Sequence, residues 1–329
     1  MVNLPHGSAR SIVLEKHEEI ARYRHIPRVR AHPQHFENKR VLYYLLIPFL
    51  YITGAYVHVK SLLAEMLGIT IHTNVWYVDG ISINSRRVKE GAARWPALDT
   101  VYNFHASGAE GSNALVRWVD DMWLHVRNAQ AVRNRLKIAK HELRKAIITV
   151  QRGHRKEPAR VLSLAAGSAQ GVLEVVAELS KDGIEVEVLL VDQDLSALSY
   201  ALTLAKHLNI HDRVRAEEGD IVFFTKVTRD YEPDIIEMLG LLDYFRTSMA
   251  IKLIRKIWSK LPPNGLFLTC HVHPNHEAYF LDHVVDWKML YRTRGELEDI
   301  LTEGRFVGGI RFITEPQGIH TVAVARKVV

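Results

Sequence analysis

Apolar and polar positions follow two rhythms along the chain. From Arg160 onward, short apolar runs alternate with stretches whose apolar residues recur at three- and four-residue steps, which is strand and helix taken in turn. Residues 161–164 read as a buried strand, and Val172, Val175, Val176 and Leu179 as one face of the helix after it. A strand over 185–191, a helix over 195–208 and a short strand over 214–217 follow. The remaining strands are predicted at 234–238, 266–270, 309–314 and 321–325, with helices at 249–261 and near 295–301. Such alternation predicts a mostly parallel sheet with helices on both faces.

The first half is patterned for helix. A long helix, broken once, is expected over 113–150, with Val132, Leu136, Ala139, Leu143, Ala146 and Val150 on its apolar face. Arg133, Arg135, Lys137, Lys140, Arg144 and Lys145 fill much of the rest, as a solvated face or as a surface laid along RNA. Residues 14–20 suit a short helix, and 74–84 a hairpin turning at Asp79-Gly80. Residues 41–59 hold no Asp, Glu, Lys or Arg, long enough for a membrane span. Pro48, Gly54, His58 and four tyrosines in that stretch favour a buried helix or broken helix pair, with peripheral membrane contact as the alternative. The polar stretch 151–158 marks a boundary between a mainly helical unit with a small hairpin, 1–152, and an α/β unit, 153–329.

Composition adds bounds. A 329-residue chain that is 47% hydrophobic and 24% charged buries real cores. The net charge of +6 and isoelectric point near 9.3 permit anionic partners without choosing among them. The single cysteine, Cys270, excludes an internal disulfide and a Cys-rich zinc site and suits a reducing compartment. With no secretory pattern at the amino terminus, a cytoplasmic location is expected. His271, His273 and His276 lack the further ligand at defined spacing of a zinc or iron site, so no metal is expected.

The candidate chemistry lies at the carboxyl ends of the predicted strands, where an open parallel sheet binds its ligands. Five small residues, Ala165 to Ala169, join the first strand to its helix, so a nucleotide can approach backbone N–H groups at the helix start. Asp192 ends the second strand, placed to accept from a ribose, with Asp194 close behind. Asp220, after the third strand, can accept from an exocyclic amine.

On these residues, 160–327 resembles a class I S-adenosylmethionine-dependent methyltransferase. The glycine-rich first motif matches Leu162-Ser-Leu-Ala-Ala-Gly-Ser-Ala169, the ribose-binding acid matches Asp192, the adenine-contacting Asp matches Asp220, and the fourth motif matches Glu237-Met-Leu-Gly240. The resemblance implies a doubly wound, Rossmann-like seven-stranded sheet with its last strand antiparallel. It also implies S-adenosyl-L-methionine as cofactor, held by Ser163, Ala165, Gly167, Ser168, Gln170, Asp192, Gln193, Gly219, Asp220, Ile221, Glu237, Leu239 and Gly240. This chain departs from the motif at Ser163, where an acid is usual, and at Ala165 and Ala169, where glycine is usual. Alanine suits those two positions if their φ is negative. Gly240-Leu-Leu-Asp-Tyr-Phe245, Asp286-Trp-Lys-Met-Leu-Tyr-Arg-Thr293 and Ala129-Gln-Ala-Val-Arg-Asn-Arg135 are similar to a bacterial family that includes methyltransferases making methyl esters of 3-hydroxy fatty acids.

Methyl transfer displaces a group at an already activated carbon, so alignment is the protein's main task. A carboxylate acceptor needs no base, whereas a hydroxyl or amine must lose a proton. His271, read as following the fifth strand at its rim, is the first candidate for base, with His273, Tyr244 and Tyr291 behind it, and Arg292 could grip an acidic group. Trp287 and Tyr291 share a face if their segment is helical. The expected function is methylation of a small or lipid-like acceptor on oxygen or nitrogen, beneath a covering amino-terminal unit. RNA methylation is the enzymatic alternative, and a cofactor-binding scaffold without catalysis is the alternative of another class.

Overall fold

The computed structural model describes residues 36–38, 41–69, 75, 80–103, 113–153 and 157–328. Seven strands form one sheet: β1 (Ala159–Leu164), β2 (Val186–Asp192), β3 (Val214–Glu218), β4 (Ile235–Met238), β5 (Leu266–Val272), β6 (Ile310–Thr314) and β7 (His320–Arg326). Their order is β3-β2-β1-β4-β5-β7-β6, with β1 to β5 parallel and β7 antiparallel to both β5 and β6. The Rossmann-like α/β expectation is met. Strand order reverses direction between β1 and β4, and the crevice at such a switch point is where doubly wound sheets take ligands.

Alternation along each strand feeds two cores. Val161, Val188, Leu190, Ile235 and Leu268 point into one layer with helices α6 (Gln170–Lys181) and α7 (Leu195–His207). Leu162, Leu164, Leu189, Ile236 and Phe267 point into the other, against α8 (Thr247–Lys260) and α9 (Arg294–Glu303). Local signals set the helix starts: Asp194 accepts from the Ser196 N–H at the head of α7, and Thr293 and Glu296 form a capping box on α9.

The amino-terminal region holds α1 (Val41–Met66), α2 (Ile83–Glu90), α3 (Trp95–Tyr102), α4 (Ala114–Leu124) and α5 (Arg127–Gly153). The expected long helix is thus α4 and α5, broken at His125–Val126. Its basic side is not a solvated face. Arg133, Arg135, Lys137 and Lys140 are all buried, because α5 is enclosed between the sheet and the remaining amino-terminal helices. The Arg133 guanidinium forks onto the Glu37 carboxylate, with Nη2–Oε2 at 2.6 Å, and Lys137 lies 3.5 Å from the same group. Lys140 Nζ meets Glu174 Oε2 on α6 at 2.7 Å. Arg144 stays at the surface, paired with Asp182.

A second expectation also changes. Residues 41–59 belong to one continuous helix with Pro48 inside it, and that helix is not enclosed. Leu50, Thr53, Val57 and Ala64 face inward, and Gly54 lets α1 meet Tyr279, whose ring a Cβ would touch at 2.8 Å. The opposite side is apolar and open, with Ile52 69%, Tyr56 65% and Met66 82% exposed. By length and composition, Leu46–Met66 meets the criteria for a membrane-crossing helix. The predicted helix at 14–20 and most of the first hairpin arm lie outside the described residues, and part of the second arm instead opens α2 at Ile83.

A buried ion pair tolerates joint replacement better than the loss of one partner. Lys140→Met alone should therefore destabilise the fold by about 3–5 kcal/mol, and Lys140→Met with Glu174→Met should recover much of that loss, as read by urea unfolding.

Candidate functional site

Two cavities meet at the carboxyl end of β1 and β4. The first, of about 630 Å³, is lined by the turn 165–169, the start of α6, Glu237 and Leu239 after β4, and Trp95, Leu98 and Tyr102 of α3. The second, of about 760 Å³, lies towards the amino-terminal helices and is walled by Val88, Val101, Trp123, Val126, Ala129 and Val132, with Tyr244, Trp287 and Met289 opposite.

The turn is strained where glycine would relieve it. Ala165 has φ 51°, Gly167 54° and Ala169 49°, so all three lie in the left-handed region and the condition under which alanine suits the two positions is not met. The reason is local: the chain must leave β1 and reverse into α6 within five residues, held by Ala166 N–H to Val191 C=O and Ala169 N–H to Ala166 C=O. Ala169 gives α6 no side-chain cap, so its first-turn N–H groups point to the cavity without a protein acceptor from that residue.

Asp192 bridges the turn and its own strand end. Its Oδ2 accepts from Gly167 N–H at 2.8 Å and its Oδ1 from Asp194 N–H at 2.9 Å, and the carboxylate is half-buried. The Gly219 N–H donates to the Asp192 carbonyl at 3.0 Å, which holds the turn after β3 alongside. Asp220 is exposed and caps the short turn 221–223 through Val222 N–H. Of the cofactor candidates, Ala165, Gly167, Ser168, Gln170, Glu237 and Leu239 line the first cavity and Gly240 the second. Ser163 is buried behind Glu237, while Asp192, Gln193, Gly219, Asp220 and Ile221 stand outside the lining of both. Trp95 closes the side facing β2: its Nε1 donates to Ser196 Oγ at 3.0 Å and its ring packs on Tyr200 at 4.7 Å.

That closure was not legible in the sequence. On α3, Asp99 accepts from Tyr200 OH at 2.9 Å, and Asn103 exchanges hydrogen bonds with Gln170, so the helix is fastened to both helices flanking the turn. Burial pushes the Asp99 carboxyl up to about 6, against the opposing effect of its bonds to Tyr200 and Asn103.

Among the catalytic candidates only Tyr244 lines a cavity, its OH accepting from Trp287 Nε1 at 2.7 Å. His271 does not follow the fifth strand but lies within it, fully buried, with Nδ1 2.5 Å from Asp243 Oδ1. The strand extends two residues past its expected end because β7 pairs with it through Val272. Burial favours a neutral Asp243, yet the His271 bond and the surrounding positive field, that of Arg135 included, outweigh it and hold the carboxyl below its ordinary value. The ring of His273 is engaged by Thr321 Oγ1 and the Arg292 carbonyl. Arg292 donates to the Leu242 and Phe245 carbonyls, so it braces the loop after β4 instead of gripping an acid. Tyr291 donates to Asp282, and residues 286–293 are not helical, so it shares no helix face with Trp287.

Sequence reasoning missed two polar residues of the second cavity. Arg135, 3% exposed, donates through Nη2 to Tyr102 OH at 2.8 Å, and its Nε has no partner among the described residues. Burial would lower its basicity, but Tyr102, Cys270 and Asp243 together raise it, so it is charged. His320 is buried, with Nδ1 lacking a partner among the described residues, and burial holds it well below its ordinary value and therefore neutral. The residues fit the cofactor that the resemblance implies: a carboxylate at the end of β2, a left-handed turn leading into a helix without a side-chain cap, and a buried Glu237 oxygen, Oε2, without a partner among the described residues.

Two outcomes are expected here. Ala165→Gly or Ala169→Gly should raise the melting temperature, since relief of about 1–2 kcal/mol of left-handed strain exceeds the chain entropy that glycine adds. Ionising the buried Asp99 disfavours the fold, so stability should fall as pH rises from about 4 through about 6, while Asp99→Asn abolishes that slope, as read by unfolding at several pH values.

Comparison with known proteins agrees with this geometry. Residues 52–327 match the family model Methyltransf_20, described as "Putative methyltransferase". No curated protein matches the sequence. A Bordetella parapertussis structure, described as a "possible exported protein", has a TM-score of 0.62 at 16% identity, covering 85% of this chain and 97% of its own. An O-methyltransferase family protein from Burkholderia thailandensis gives 0.47 at 13%, covering 85% and 71%. Magnesium protoporphyrin IX methyltransferase from Synechocystis PCC 6803 gives 0.44 at 11%, covering 60% and 86%. With most of its length matched, the chain belongs to this methyltransferase family, built on the Rossmann-like fold whose cofactor is S-adenosyl-L-methionine.

Proposed function

We propose that the chain transfers a methyl group from S-adenosyl-L-methionine to a carboxylate oxygen of a small, lipid-like acid bound in the second cavity. The observation that carries this reading is Arg135: a buried, charged guanidinium with a free Nε at the wall of an otherwise largely apolar chamber, next to the donor crevice. A buried cation facing an apolar cavity selects a ligand with an anionic head and an apolar body. The donor supplies a methyl carbon already activated by a sulfonium. The turn 165–169 and the first turn of α6 hold its amino-acid end, and Asp192 faces its ribose. Val101, Trp123, Val126 and Trp287 enclose the acceptor's body and exclude water. Arg135 orients its carboxylate from the side of Gly240, where a Cβ would stand 3.3 Å from Nη1. An ionised carboxylate needs no base, which accords with His271 and His273 being committed to the fold.

The helix α3 serves as cover for both chambers in this reading. RNA as acceptor is disfavoured because the cations of α5 that would have met phosphates are buried and several are paired. The open face of α1 is assigned to contact with a lipid surface, checked by co-sedimentation with phospholipid vesicles.

Arg135→Gln should lower kcat/KM for medium-chain carboxylic acids by roughly 10–100-fold, the worth of a charge-assisted hydrogen bond, while donor affinity holds. Methyl esters would be read by mass spectrometry, with thermal melting to check folding. Equal turnover of the matching alcohol or amine, or an unchanged variant, would remove the acid from consideration.

A further inference from the structure

The first motif lacks its acid, since Ser163 stands where the resemblance expects one. In the sheet, Ser163 on β1 is the direct partner of Glu237 on β4, and Ser163 Oγ donates to Glu237 Oε1 at 2.5 Å. Glu237 is 5% exposed and lines the first cavity, and its second oxygen, Oε2, is buried with no hydrogen-bond partner among the described residues. A carboxylate oxygen left without a donor in the interior is costly, so a site that keeps one implies a cationic ligand that completes it.

Among the described residues, no other charged group completes it. Lys140 lines the same cavity but its ammonium is taken by Glu174, and Arg135 acts on Glu237 only through its field. Tyr102 lines the same cavity and donates no bond to Glu237, and Cys270, another titratable neighbour, is itself pushed up to about 11, chiefly by burial, and carries no charge at neutral pH. Ser163 and Glu237 together leave one acceptor unanswered on a residue that lines the cavity beneath the turn.

We infer that Glu237 receives the ammonium group of the donor's amino-acid end, the carboxylate having moved from β1 to the neighbouring strand, where a serine now orients it. This rests on the proposed donor. A neutral Glu237 would be a weak partner, and burial pushes its carboxyl up to about 7 despite the Ser163 bond and the Arg135 charge. Binding an ammonium favours the ionised form. Affinity is therefore complete above that value and falls by about tenfold per pH unit below it, because the carboxyl must first release its proton.

The test compares S-adenosylhomocysteine with 5′-methylthioadenosine, which lacks the amino-acid end, by isothermal titration calorimetry on the full chain. Glu237→Gln should weaken S-adenosylhomocysteine by roughly 10–100-fold and leave 5′-methylthioadenosine unchanged. The wild-type chain should lose S-adenosylhomocysteine affinity as pH falls through about 7, and the variant should not. Ser163→Ala removes the bond that opposes burial, so the same fall should begin at a higher pH, a shift that a merely structural role would not produce. Equal weakening of both ligands, or a pH profile indifferent to both substitutions, overturns the inference while leaving the donor in place. Failure of the folded wild-type chain to bind either ligand overturns the donor reading as well.

Discussion

The site depends on one helix carrying charge through the interior. Buried cations are stable only where something answers them, and α5 brings Arg133, Arg135, Lys137 and Lys140 inside. Glu37 answers two of them and Glu174 a third. These pairings fix the height and rotation of α5 against α6 and the residues just before α1. That placement sets Leu136 against the first cavity and Arg135 against the second. Arg135 is the cation left with a free donor, so the same constraint that organises the fold also creates the polar point of the second cavity.

The α/β half was largely legible from residue pattern. Alternating strands and helices gave the sheet, and the run of small residues after 161–164 marked the turn at the switch point. The strand-end acids were found in place, with Asp192 joined to the turn by Gly167 N–H. Asp220 is a reminder that a strand-end acid also suits a cap, since it performs one here. Periodicity could not show that β5 runs on through Val272, because the extension comes from pairing with β7, more than forty residues later. His271 was misplaced for that reason.

The amino-terminal half was less legible because its polarity is inverted. A helix with cations on several sides reads as solvated, yet its partners lie far off in sequence: Arg133 meets Glu37, and Arg311 meets Glu142. A helix apolar all round reads as buried, yet α1 shows much of its surface. In both, local sequence reports the chemistry of the side chains but not what the tertiary fold lays against them. Trp95 and Asp99 carried no signal of their own, since each acquires its role only on meeting Tyr200 and Ser196.

The wall between the chambers is thin. Leu98 lines both, and elsewhere consecutive residues face opposite ways: Val101 and Tyr102, Arg135 and Leu136, Leu239 and Gly240. A partition one side chain deep cannot be reshaped on a single side, because any change of bulk in these three short segments is felt by both compartments at once. Under the proposed assignment of the two chambers, drift in what the enzyme accepts is tied to how it seats its methyl source, and diversification of specificity has freer room at the far end of the second chamber, around Trp123 and Leu281, which line that cavity and not the first.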